Sequence, residues 1–166
     1  APVRIAGVTQ VVIALYDITS WHRTEQLYST LFSEMQYGFA LLRPASGMPD
    51  APVDFMVTTA NPAIRALVGV DPNDLPGMTL RKALPDIPDA FFTLLARTLE
   101  SGDAAPFGVH LPGLDKHFEG TAFRPLEGQV AVIFTNVTAR KRAEAQAHEA
   151  AAETLRLLET TEEARR

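Results

Sequence analysis

"AVIFTNVTARKRAEAQ", residues 131–146, passes from an apolar, β-branched run through the triplet Asn136-Val137-Thr138 into a charged segment of helical character. An earlier stretch, "VVIALYDITSWHRTEQ" at residues 11–26, has the same plan around Asp17-Ile18-Thr19. One offset, 136 − 17 = 119 residues, superposes Asp17 on Asn136, Thr19 on Thr138, Arg23 on Arg142 and Glu25 on Glu144. Repetition at domain spacing predicts two strand-to-helix joints of one kind. Asx or Thr at a strand end bonds nearby backbone groups and caps the helix that follows, which fixes the angle between the two elements.

Working outward from the first joint, Val3 to Tyr16 reads as β, rich in β-branched residues around Gly7. From Ser20 the pattern turns helical. Trp21, Thr24, Tyr28, Leu31 and Met35 recur at alternating steps of three and four, the spacing of a two-helix seam. Gly38 is expected to end this helix as a left-handed cap.

Leading up to the second joint, "GFALL" and "VDFMVTTAN" read as strands separated by a Pro/Gly-rich loop, with Phe55 and Val57 on one face. "NPAIRALVG" predicts a short helix with Asn61 as N-cap, Pro62 at the first helical position and Gly69 just past the end. A short helix around "LRKAL" and a longer one, "PDAFFTLLARTLES", precede three more strands, "APFGVHL", "KHFEGTAFR" and "QVAVIFT". His110 and His117 are symmetric about the turn "PGLD", so a regular hairpin sets them opposite each other on the face turned away from the helices, with Glu119, Thr121 and Phe123. Phe134 and Thr135 are assigned to that outward face too. Two imidazoles with only Glu119 nearby fall short of a usual zinc set, so no metal site is expected.

Composition narrows the function. The absence of cysteine excludes disulfides, thiolate metal sites and thiol nucleophiles. A net charge of −5 gives no general attraction to phosphate, so nucleic acid is not an expected partner. With no apolar run of bilayer length and no leader-like amino terminus, a cytoplasmic chain without membrane contact is expected. A start at Ala1 without methionine fits a piece of a longer protein.

Ala139 to Arg166 lacks Gly and Pro and is helical by propensity. Its apolar stripe is mostly alanine until Leu155 and Leu158, so a second copy or another helix is expected beside it. It carries His148-Glu149, the pair with which histidine kinases begin their phosphoacceptor motif, but Ala150, Ala151 and Ala152 follow in place of that motif's further residues. A phosphoacceptor role for His148 is therefore only an alternative, and no other catalytic set is apparent.

The order ββ, helices, βββ, with "NPA…LVG" after the second strand and an Asx-x-Thr triplet closing the fifth, resembles the PAS sensory domain over Gly38 to Thr138. Both triplets look like the Asp-[Ile/Val]-Thr element that joins a PAS sheet to its output helix, with Asn136 in place of aspartate in the second. The resemblance implies an α+β fold, a five-stranded antiparallel sheet with helices on one face and signalling helices at either end. It divides the chain into strands of a preceding PAS domain (1–19), a linker helix (20–37), a PAS domain (38–138) and a coiled-coil-like output helix (139–166).

Its implied function is that of a noncatalytic sensor or relay module, feeding a histidine kinase or cyclic dinucleotide synthase in the same chain. The alternative is a pure dimerisation spacer with a filled core. A small-molecule pocket would be lined by Phe39, Phe55, Ile64, Leu67, Leu75, Leu84, Phe91, Leu95, Phe107, Val109, Phe118 and Val132. The signal joints would be Asp17, Thr19, Asn136 and Thr138. A homodimer seam would run through Trp21, Tyr28, Leu31 and Met35, unless that helix folds back on its own sheet. The long helix lacks the histidine that haem-binding relatives use, and the chain lacks the cysteine of flavin photosensors, so neither cofactor is expected.

Overall fold

The computed structural model describes residues 23–45 and 53–163. Asp17, Thr19, Trp21 and the strand expected at Val3 to Tyr16 lie outside them. Residues 23–34 form helix α1. Strands β1 (Gly38–Pro44) and β2 (Phe55–Ala60) follow, then helices α2 (Ala63–Val68), α3 (Leu80–Ala83) and α4 (Asp89–Ser101). Strands β3 (Ala105–Leu111), β4 (Lys116–Phe123) and β5 (Val130–Asn136) lead into helix α5 (Thr138–Glu163). The five strands make one antiparallel sheet in the order β2-β1-β5-β4-β3, so the first strand pair and the last hairpin meet through β1 and β5.

Alternation along the strands sorts residues between two faces. Ala40, Leu42, Phe55, Val57, Phe118, Ala122, Val130 and Val132 are buried on the inner face against Ile64, Val68, Leu75, Leu80, Phe92 and Leu95 of the helical side. The helices are also fastened through their last carbonyls, the groups that a helix leaves unbonded. Lys116 Nζ donates to Leu67 O at 2.9 Å, near the end of α2, and Arg124 Nη1 donates to Leu99 O at 2.9 Å, near the end of α4. Both cations flank β4, so one strand holds two helix ends. Gly69 ends α2 at φ 79° with its N–H bonded to Arg65 O, the left-handed cap that its position implied.

Three expectations are corrected. Asn61 does not cap α2: Pro62 is the cap residue, without a side-chain cap bond. Instead Asn61, fully buried, accepts from Phe39 N at 2.9 Å and donates to Tyr37 O at 2.8 Å. A buried amide serves the unpaired backbone at the start of β1 better than it serves a helix end already opened by proline. Gly38 is not a left-handed helix cap either. It opens β1, where an added Cβ would lie 2.5 Å from the Phe134 ring, so close packing is what demands glycine there. Phe134 accordingly points inward, edge-on to Phe118 at 5.7 Å between ring centroids, although the sequence reading assigned it outward.

Replacing Asn61 with Ala strands the Phe39 N–H and the Tyr37 carbonyl in a buried site. A loss of about 2–3 kcal/mol is expected, read as a lower denaturant midpoint at unchanged m-value.

Candidate functional site: an apolar core cavity and a latched exit helix

Two features of the fold have the form of functional sites. Between the sheet and the helices lies an apolar cavity of about 70 Å³. Of the residues expected to line a pocket, Ile64, Leu75, Leu84, Phe91, Phe107, Val109, Phe118 and Val132 do so. Phe55 and Leu95 are buried in the core but do not line the cavity, and Leu67 packs at the core's margin. Phe39 is on the other face of the sheet: with Ala40 and Leu42 turned inward, alternation sends it outward, where its ring meets Phe32 edge-on at 5.5 Å. Several lining residues escaped the sequence reading, among them Leu42, Val68, Leu80 and Phe134. Their alternation was visible, but which strand faces carry the cavity depends on how the helices cross the sheet.

No polar group lines the cavity. Ligand sites for molecules of drug or cofactor size occupy roughly 300–1,000 Å³, several times the space here. The cavity suits nothing larger than a small apolar group unless the helices move.

The second feature is the passage from β5 to α5. Asn136 Oδ1 accepts from Thr138 N at 2.9 Å and from Thr138 Oγ1 at 2.5 Å. The same hydroxyl accepts from His117 N at 2.9 Å, while Val137 N donates to His117 O at 2.8 Å. Thr138, only 8% exposed, therefore extends the β4–β5 ladder by one side-chain bond after the strand has ended. Lys141 N donates to Val137 O at 2.9 Å, so the first helical bond closes over the last sheet bond. The Asx and Thr of the triplet act together as the sequence predicted for a joint.

Ion pairs extend this latch along the first turns of α5. Arg140 pairs with Glu119, Lys141 Nζ lies 3.4 Å from Glu119 Oε1, and Arg142 Nη2 lies 2.6 Å from Asp115 Oδ2. These contacts between residues more than twenty apart in sequence leave no local signal, which is why the sequence reading missed them. Beyond Thr138 every described side chain of α5 is exposed, including Leu155, Leu157 and Leu158. His148 is among them.

On the outer face, α1 lies over Phe39, Thr59, Phe123 and Ile133. Phe32 and Met35 are half-buried there, whereas Tyr28 and Leu31 of the expected seam are 67% and 56% exposed. His110 and His117 are register partners with stacked rings, 4.2 Å between centroids. Glu119 is taken by Arg140 and Lys141; the carboxylate beside the histidines is Asp115, 3.9 Å from His110 Nε2. Among the described residues, no group of three or more His, Asp or Glu is placed to hold a metal, and no helix is long and apolar enough to cross a membrane.

Comparison with known proteins gives one family match: the family described as the PAS fold matches residues 53–142. No curated protein matches the chain. Among solved structures, a domain of an HTR-like protein from Haloarcula marismortui is similar at 15% identity and a TM-score of 0.44, covering 63% of this chain and 100% of its own. A sensory box sensor histidine kinase from Vibrio cholerae is similar at 12% identity and a TM-score of 0.40, covering 74% of this chain and 98% of its own.

The ion pairs beside the latch weaken in acid. The hydrogen bond from Arg140 is the main cause that holds the Glu119 carboxyl below the ordinary glutamate range; desolvation opposes it, and the Arg140 and Lys141 charges reinforce it. Because the folded value is the lower one, the contribution is complete above the unfolded-chain value and is lost as pH falls through the depressed value. Arg140→Ala is expected to return the Glu119 titration toward the ordinary range, as read from its side-chain carboxyl resonance by NMR.

Proposed function

Because the chain belongs to the PAS-fold family, we propose that it is a noncatalytic sensor and relay module of a larger signalling protein, with α5 as the output. The observation that carries this reading is the joint: the hydroxyl of Thr138, the first residue of the exit helix, bonds both β4, at His117 N, and the end of β5, at Asn136. A helix so fixed must follow any shift of β4 and β5, and a module of this kind needs no chemistry of its own. The domain division follows from it, with the PAS domain at 38–138, a linker helix before it and an output helix after it. Residues 1–19 would be strands of a preceding domain, and Asp17 and Thr19 the corresponding earlier joint. A histidine kinase or a cyclic dinucleotide synthase is the output class this arrangement would serve, in a cytoplasmic part of the protein.

The small cavity favours a conformational relay over a bound cofactor. The spacer reading draws support from the same observation, since a nearly filled core sets the spacing and phase of helices without taking a ligand. The two part on one point. In a relay, the core's state reaches the helix through Thr138; in a spacer, that bond only adds stability.

Thr138→Val keeps the shape and removes the hydroxyl. A cost of about 1–2 kcal/mol is expected, with the domain still folded and the signal-dependent change in output lost in the intact protein. Unaltered signalling by a folded variant would overturn the relay. Homodimerisation through α5 is also part of the proposal, because a long helix with its leucines exposed is marginal alone. Leu155→Glu with Leu158→Glu should shift sedimentation equilibrium toward monomer and lower the helical signal in circular dichroism.

A further inference from the structure

The stacked histidines of the β3–β4 hairpin have a geometry that the relay does not use. We propose that His110 and His117 together form an exchangeable site for one borderline first-row divalent ion of the Zn2+ or Ni2+ kind, with water in the remaining positions.

The backbone supplies the first argument. His117 directs both its N–H and its C=O toward the β5 side, to Thr138 and Val137. In an antiparallel ladder the two groups of one residue point the same way, so toward β3 His117 stands in a non-hydrogen-bonded pair, the kind with the closer side chains. Its register partner there is His110. The two imidazoles thus start from Cα atoms only about 4.5 Å apart, on strands held by the rest of the sheet. Little ordering remains to be done when an ion arrives.

Ring geometry gives the second. Two imidazole nitrogens bound to one tetrahedral ion at 2.0–2.1 Å stand about 3.3 Å from each other. The ring centroids are 4.2 Å apart with planes 21° from parallel. Because the donor lone pairs lie in the ring planes, the stacked rings have to turn about χ2, which is broad and soft for histidine, for one nitrogen of each to face a common ion.

Donor chemistry is the third argument. His110 Nε2 lies 3.9 Å from Asp115 Oδ1, too far to be a hydrogen bond, and that carboxylate is paired with Arg142, so the imidazole nitrogens are the ligands on offer. The neighbouring cations are already directed at acids: Arg142 at Asp115, Arg140 and Lys141 at Glu119. Nitrogen donors on an exposed surface select borderline ions over Mg2+ and Ca2+, which prefer oxygen. Two protein ligands make the site weaker than a structural zinc centre, so the ion exchanges.

The test is a Zn2+ titration of the full chain, stripped with chelator, followed by calorimetry and by the ring-nitrogen resonances of each histidine. One ion per chain, with shifts at His110 and His117 but not at His22 or His148, is expected. Affinity should fall by at least about tenfold in each of H110Q and H117Q, and H148Q should leave it unchanged. Both sites face solvent, so circular dichroism of the variants should match the parent; if either unfolds, the resonances of the unaltered chain decide alone. Binding that survives H110Q or H117Q, follows His148, proceeds at half an ion per chain by linking two copies, or does not occur overturns the proposal.

Discussion

The sheet of this protein ends, and its longest helix begins, at a single hydroxyl. Thr138 Oγ1 accepts from the backbone of β4 and donates to Asn136, whose own oxygen also holds the Thr138 N–H. Strand geometry and helix geometry are incompatible within one residue, so a junction of the two normally leaves backbone groups without partners. Here the triplet resolves that conflict with side chains. The surrounding ion pairs, Arg140 with Glu119 and Arg142 with Asp115, are exposed and individually weak; they guide the first turns of a helix whose direction the buried threonine has already set.

The same strand that anchors the exit helix anchors the others. Lys116 at one end of β4 and Arg124 just past the other hold the final turns of α2 and α4. Between them Gly120 lets the sheet and two aromatic rings come together: an added Cβ would lie 2.1 Å from Ile133 O and 2.8–2.9 Å from Phe134 and Phe107. The core is therefore closed tightly around β4, and its remaining space is a small apolar void. A packed interior of this kind transmits a displacement instead of absorbing it. That property links the size of the cavity to the proposed relay.

Much of this was legible from the chain. The strands of the last hairpin, the pairing of His110 with His117, the left-handed cap at Gly69 and the Asx-Thr joint all follow from local pattern and turn chemistry. Where sequence reading failed, a long-range contact had outbid a local preference. Asn61 has every local qualification of an N-cap, yet its amide is spent on β1. Gly38 has the credentials of a helix stop, but Phe134 needs the space of its missing side chain. Phe39 and Phe134 exchanged faces because both sides of this sheet carry aromatics, so hydrophobicity alone does not say which side is inner. Phe32 went unnoticed because the seam through Tyr28 and Leu31 is the more regular pattern, although Phe32 is the residue that touches Phe39.

The length of α5 gives the joint a mechanical gain. Its 26 residues form a rod about 39 Å long at 1.5 Å per residue, so pivoting by roughly 5° about Thr138 swings the far end by about 3 Å. Shifts of only about 1–2 Å suffice for packed helices to move at subunit interfaces. In the proposed relay, a change in the core too small to open a ligand-sized pocket would thus be amplified with distance from the sheet, and the leucines at 155, 157 and 158 sit toward the end that would travel farthest.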